Sequence, residues 1–393
     1  MIKLLLISIK GFRERKFNNL LIIIQVFISI IIINLLIGTI QQFTYILNVT
    51  DNSKLINSLY FAELPRIISA RNDSNILADN RISQIKEVNA VGKSLYAYGI
   101  VPKIKDTVNI YIYSDILINS LNIPLIEGHW FKSEGKSDVI PIIISKEINK
   151  IYKMGEIISI SLIDQNTKLD NIKFKIIGIF DNSNSMLRLG ACGDLLGLNA
   201  VFEKNKYFVI LPEFNNIKDF KPFDDYGRIL FLNNYSETIQ KSIFNGLKDI
   251  GYINKMADMR DNYKNDISDQ LLQQFVLCLI VFILTLTGIG GNNILMQIFK
   301  EREYAIYFMC GMEWQKCVLI TCLNNMLTLL IPASIAYFII AKSNWSLLDQ
   351  IIISNNNIIA SILLIFTIFI ITSIQPLYTL YKTEPILIIR RWS

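Results

Sequence analysis

Four long apolar runs interrupt an otherwise ordinary sequence, at residues 17–40, 274–298, 317–341 and 356–376. Each is long enough for a helix to cross a hydrocarbon core, which takes roughly 20 apolar residues. A helix buried in a water-soluble core is seldom apolar on every face over that length. The pattern predicts a first span at 17–44, a second within 258–299, a third at 317–342 and a fourth at 356–381. Gly288, Gly290, Gly291, Asn324, Asn325 and Pro332 fall in the middle two, where neighbouring helices can satisfy the backbone such residues disturb. The predicted fold class is an integral membrane protein with four transmembrane α-helices and a large α+β extracytoplasmic domain. That domain, residues 45–257, lies between the first span and the second.

Inside 45–257 the hydrophobic period alternates between two and three to four residues. Residues 139–145 (VIPIIIS) predict a strand, Ser145 a cap for a helix through Lys153, and Gly155 its end before an alternating strand at 156–163. Further strands are predicted at 173–180, 206–211 and 228–232. Ser236 should cap a helix carrying Ile239, Ile243, Phe244, Leu247 and Ile250 on one face, with Gly251 as its stop. The Asn-rich stretches 51–58, 70–80 and 213–226 read as loops or as connections between two lobes.

The flanks of the runs carry further elements. Met259, Tyr263, Ile267 and Leu271 recur every four residues among charges, which predicts an amphipathic stalk continuous with the second span. Residues 41–47, with Phe43, Ile46 and Leu47, are its predicted partner. At the other end of the first span, residues 1–16 set Ile2, Leu5, Leu6, Ile9 and Phe12 among Lys3, Lys10, Arg13, Arg15 and Lys16, a pattern for a helix in the headgroup region. The run that follows exceeds the apolar core of a secretory signal, about 7–15 residues, and no small-residue cleavage site follows it, so it reads as a retained anchor. Residues 300–316 (KEREYAIYFMCGMEWQK) predict a short amphipathic helix ended by Gly311.

Composition agrees with this division. Hydrophobic residues make up 52% of the chain and mean hydropathy is +0.38, more apolar surface than one soluble core can absorb. Lys and Arg outnumber Asp and Glu by 39 to 33, and the basic residues gather at span ends: the N-terminal cluster, Lys300, Arg302, Lys382, Arg390 and Arg391. Positive charge resists translocation, so the termini and 300–316 are expected in the cytoplasm and the loop 343–355 outside. The basic balance is then topogenic, and no nucleic-acid partner is expected.

Little catalytic chemistry is present. Cys278, Cys310, Cys317 and Cys322 lie in or beside spans, Cys192 stands alone in the central domain, and no CxxC pair occurs. His129 is the single histidine, in a Gly-aromatic turn beside Trp130, and reads as structural. No metal site, no Ser/His/Asp arrangement and no phosphate-cradling GxxxxGK[ST] loop is found. The runs also lack the acidic residues a proton-coupled pump or an aspartyl intramembrane protease would need, since Asp349 falls in a loop. The chain is expected to be neither an enzyme nor the holder of a cofactor.

The order of these elements, and several strings within them, resemble the permease subunit of MacB/FtsX-like ABC transporters, the macrolide-exporter type with the type VII fold. LIEGHWF, VIPIIISKEINKIY, GEIISISLID and FKIIGIF are similar to that family's extracytoplasmic core. Gly288, Gly290 and Asn293 echo a Gly-rich segment of its second span, where they imply helix packing. EREYAIYFMCGM is similar to its cytoplasmic coupling segment, and Pro376, Pro385 and Arg390 match its C-terminal tail. Leu377 and Leu380 replace that tail's usual alanines, and the coupling segment is short, nearer to Gram-positive variants.

The resemblance implies that Lys300, Glu301, Arg302, Glu303, Gly311 and Met312 engage a separate cytoplasmic ABC ATPase, which holds the ATP-Mg. It further implies a second permease as homo- or heterodimer partner, an extracytoplasmic adaptor in some systems, and mechanotransmission in a bacterial plasma membrane. Two functions stay open. One is export of an antimicrobial peptide, antibiotic, lipid or lipoprotein at the outer face; the other is ATPase-driven control of a cell-wall hydrolase or sensor kinase.

Overall fold

The structure is a computed structural model and describes residues 16–64, 75–121, 123–131, 139–163, 168–181, 185–190, 198, 201–203, 205–213, 223–342 and 355–382. The chain forms two compact units, Gln42–Ser268 on one hand and Met1–Gln41 with Asp269–Ser393 on the other. Residues 1–15, most of the loop 343–355, Cys192, Pro385 and Arg390, for which the sequence sets expectations, lie outside the described residues.

In the unit Gln42–Ser268 the strands run in chain order β1 (Ser58–Glu63), β2 (Val88–Ile100), β3 (Val108–Tyr113), β4 (Glu127–Gly128), β5 (Ile140–Ser145), β6 (Ile157–Ile163), β7 (Lys168–Phe180), β8 (Met186–Leu187), β9 (Phe202–Glu203), β10 (Phe208–Pro212), β11 (Phe223–Leu232) and β12 (Gly251–Lys255). Pairings followed from β2 through β3, β10, β5, β7 and β6 return to β2, so six strands close on themselves. Two of these pairs, β3 with β10 and β5 with β7, are parallel; the other four are antiparallel. The period-two side chains Ile110 and Ile112, Ile142 and Ile144, Ile158 and Ile160, and Phe174 and Ile176 all fill one apolar core. The same alternation sends Ile157 outward, at 57% exposure, beside a buried Ile158.

The long β2 serves a second layer as well, because its first half pairs with β11, which continues through β1 to the edge strand β12. Two helices, α2 (Asn75–Ser83) and α5 (Glu237–Leu247), cover this layer, with Ala78, Ile82, Ile243 and Leu247 packed on Leu59, Phe61 and Leu230. Ser236 caps α5 as predicted, accepting from the Ile239 N–H at 3.4 Å. Phe244 is half exposed rather than on the buried face, since one residue's 100° rotation carries it past Ile243. Gly251 does not stop the helix, which ends at Leu247; it opens β12, where a Cβ would stand 2.2 Å from the Phe61 ring.

The helix after Ser145 is a single turn, α4 (Lys146–Asn149), following the similarly short α3 (Asp115–Ser120). Ser145 does not cap α4 with its side chain; its hydroxyl, buried at the strand end, instead accepts from the Phe208 N–H on the adjacent β10 at 3.5 Å. Gly155 does turn the chain, with φ +84. The described part of 70–80, expected as loop, belongs to α2, and the stretch 213–226 already enters β11 at Phe223. In the Gly-aromatic turn Gly128 takes φ +89 and Trp130 Nε1 donates to the Ile123 carbonyl at 2.7 Å, so that turn is a structural latch.

Helices α1 (Lys16–Asp51) and α6 (Met256–Met309) contribute residues to both units. Within Gln42–Ser268 they pack together: Phe43 and Tyr263 have ring centroids 5.7 Å apart, and Arg260 Nη1 meets Asp51 Oδ1 at 3.0 Å. Met259, Tyr263, Ile267 and Ile46 are buried there, which is the four-residue repeat in the sequence put to use.

The other unit consists of the remainder of α1 and α6 with α7 (Trp314–Lys342) and α8 (Asn355–Lys382). Among the described residues four helices, over Leu20–Asp51, Met256–Met309, Trp314–Ile339 and Asn356–Thr379, are long and apolar enough to cross a membrane. Their shared core joins Val26 and Ile30 of α1, Ile289 of α6, Leu329 and Ala333 of α7, and Ile368 of α8. Around it large apolar side chains such as Leu272, Phe275, Leu284 and Phe299 are exposed, an arrangement stable in lipid and not in water. Polar contacts tie the helices: Ser29 to Thr285 at 2.7 Å, Asn34 Nδ2 to Ser361 Oγ at 3.0 Å, and Asn325 Nδ2 to Ser373 Oγ at 3.1 Å. Such interhelical bonds contribute about 0.6 kcal/mol each on average, so together they fix register more than they hold the bundle.

Candidate coupling site

Residues 300–309, expected as a separate short helix, are the last turns of the 54-residue α6. Apolar side chains change to KERE without any residue that would break the backbone, so the helix runs on until glycine ends it. Gly311 takes φ +87, a conformation that costs a β-carbon-bearing residue dearly. Its N–H donates to the Phe308 carbonyl at 2.9 Å, and the Met312 N–H donates to the Tyr307 carbonyl at 2.9 Å. This six-to-one and five-to-two pair is a Schellman cap, which satisfies two of the helix's last carbonyls. Both Tyr307 and Met312 pack on one small cluster formed by Tyr304, Cys317 and Ile320, the apolar contact that completes such a cap. The Gly-Met step is therefore read physically: glycine for the turn, methionine for the clasp.

Three residues later α7 begins at Trp314, whose ring stands at 90° to that of Phe308 with centroids 6.2 Å apart. Tyr304 and Thr321 share a 3.0 Å hydrogen bond across the two helices. Outside this clasp the hairpin exposes Arg302, Glu303, Ile306, Met309 and Glu313, a mixed charged and apolar knob. The Lys316–Glu313 pair, 3.3 Å apart and exposed, adds little stability of its own.

The proposed coupling residues do not share one face. Arg302 and Glu303 are exposed and Glu301 is partly so, whereas Lys300 is 7% exposed and turns inward. It lines a polar groove between α6 and α7 together with Asn293, Gln297, Tyr304, Thr321 and Asn325. Among the predicted packing residues, Gly288 abuts α1, where a Cβ would stand 2.4 Å from Gln25 Oε1, and Asn293 Nδ2 donates to the Thr372 carbonyl of α8 at 3.3 Å. Gly290 packs on nothing: a Cβ there would meet no atom within 4 Å among the described residues. Pro376 is buried inside α8 rather than in a tail.

The groove was not predicted, yet its signal lies in the sequence. Asn293, Gln297, Lys300 and Tyr304 follow one another at spacings of four, three and four, and Thr321, Asn325 and Thr328 at four and three. Each set is a polar stripe on one face of an apolar helix. Among the described residues no group of three or more His, Cys, Asp or Glu could hold a metal ion.

No family model and no curated protein matches the sequence. Among solved structures, the extracellular domain of the noncanonic ABC-type transporter YknZ from Gram-positive bacteria is 14% identical, with a TM-score of 0.28 over 47% of this chain and 86% of that one. A domain of a protein described as a permease from Porphyromonas gingivalis is 10% identical, with a TM-score of 0.25 over 49% of this chain and 82% of that one. Scores of this size do not establish a shared fold.

Proposed function

We propose that this chain is the membrane subunit of an ABC transporter, driven by a separate cytoplasmic ATPase that docks on residues 300–316. One observation supports the reading above the others. The α6–α7 connection is a braced knob that exposes Arg302 and Glu303 beside Ile306 and Met309 on a short, capped turn. Charged groups flanking exposed apolar side chains suit a transient protein interface, where charge sets orientation and apolar contact sets affinity. In this reading the knob and both chain ends lie in the cytoplasm, and Gln42–Ser268 lies outside.

The test is charge reversal at two positions together, Arg302→Glu with Glu303→Lys. With the ATPase that co-purifies with the wild-type protein, the double variant should insert normally and lose most of the stimulation of ATP hydrolysis. Full stimulation in the double variant would remove the docking assignment. What the movement serves is read from a deletion strain: altered sensitivity to toxic peptides assigns export, and altered cell separation assigns control of the wall.

A further inference from the structure

The groove between α6 and α7 sets one lysine beside buried side-chain amides. Its enclosed space is only about 20 Å³, room for a single oxygen-sized group, and the rest of the groove opens to the surroundings, where the bulk of a ligand would sit. From α6 it is lined by Gln297, Lys300 and Tyr304, and from α7 by Thr321, Asn324 and Thr328. One lysine and no acidic residue line it, so its formal charge is +1. Two of the polar atoms there are buried with no hydrogen-bond partner among the described residues: Gln297 Nε2, on a side chain of a residue 5% exposed, and Asn324 Oδ1. A buried amide donor left without an acceptor is a costly arrangement, and a ligand oxygen removes that cost.

Depth along the helix narrows the ligand. The apolar run 274–298 ends two residues before Lys300, so the ammonium stands where a bilayer gives way from hydrocarbon to headgroups. We propose that this groove binds a phosphoryl group, and that its source is the headgroup of an anionic phospholipid of the surrounding leaflet. Lys300 supplies the charge, Gln297 Nε2 donates to a phosphoryl oxygen, and Asn324 Oδ1 accepts from a headgroup hydroxyl such as those of phosphatidylglycerol. The proposal requires α6 and α7 to be membrane-embedded and is independent of any ATPase.

The experiment uses the full-length protein in a neutral detergent and follows its thermal unfolding as phosphatidylglycerol, phosphatidylcholine or inorganic phosphate is added. Phosphatidylglycerol should raise the midpoint saturably, and phosphatidylcholine should not. Lys300→Gln and Gln297→Leu should each weaken the apparent affinity by about tenfold or more. Lys382→Gln, which removes an exposed basic residue at the end of α8, should leave it unchanged. A rise produced by inorganic phosphate alone, and lost in Lys300→Gln, would keep the phosphoryl site and overturn the lipid as its source. No response to either anion, a response that survives both groove variants, or an equal loss in Lys382→Gln would overturn the site itself. Should Lys300→Gln fail to fold, Gln297→Leu decides alone, because it leaves the charge in place.

Discussion

At the turn after α6, two neighbouring residues divide one task. Gly311 accepts a backbone conformation that a β-carbon would oppose, and Met312 packs on the same small apolar cluster as Tyr307, which helps hold the turn closed. Gly311→Ala should therefore cost about 1–2 kcal/mol, the penalty of a left-handed conformation, with a visible drop in the thermal midpoint of the purified protein. Gly311→Asn should lose less, since asparagine tolerates that conformation better. An unchanged midpoint in the alanine variant would mean that the cap carries no stability. The string Gly-Met is conspicuous in the sequence, and so are the charges before it. Which charge points where is subtler: Lys300 and Arg302 are two residues apart, a rotation of about 200° on a helix. Only the polar stripe that Lys300 continues marks it as inward, and a reading of the charges as one cluster overlooks that stripe.

Among the elements, those that depend on local chemistry were legible and those that depend on distant partners were not. Four apolar helices, the alternating β6 and the capped α5 follow from the period of the side chains, because each buries one face or all of them. The closure of six strands does not, since β2 meets β6 and β3 meets β10 across long stretches of chain that no local pattern specifies. The strand β2 is itself disguised: it serves two apolar cores in succession, so its sequence VNAVGKSLYAYGI keeps no single alternation. Helix packing gives a sharper test of what glycines in α6 do. Gly288→Ala should destabilise the bundle by forcing Gln25 away, whereas Gly290→Ala should be near neutral, as no atom among the described residues stands within 4 Å of the added Cβ. Scanning fluorimetry in detergent compares them directly, and equal losses would deny Gly288 its contact with α1.

For the whole molecule, orientation in the bilayer is the claim on which the proposed partner depends. The proposed function requires 300–316 inside and Gln42–Ser268 outside, the orientation that the basic residues at the span ends predict. A protein whose only thiol is His129→Cys should react with a membrane-impermeant maleimide on intact cells, because that position is exposed. One whose only thiol is Cys310 should react after permeabilisation alone. The opposite pattern would put the knob outside, beyond reach of any ATPase. The division into a membrane bundle and a large mixed α/β unit was plain from hydropathy. The polar interior of that bundle was less so, because Asn, Thr and Ser scattered through apolar runs look like minor interruptions until they are laid on a helical face.

The brevity of the α6–α7 connection has a mechanical corollary. With a capped end, a clasped aromatic pair and hardly any slack between them, this corner has no spare backbone in which to dissipate a push. Pressure on Met309 or Glu313 must load both helices at once, as a weld passes strain to the two beams it joins and a rope would not.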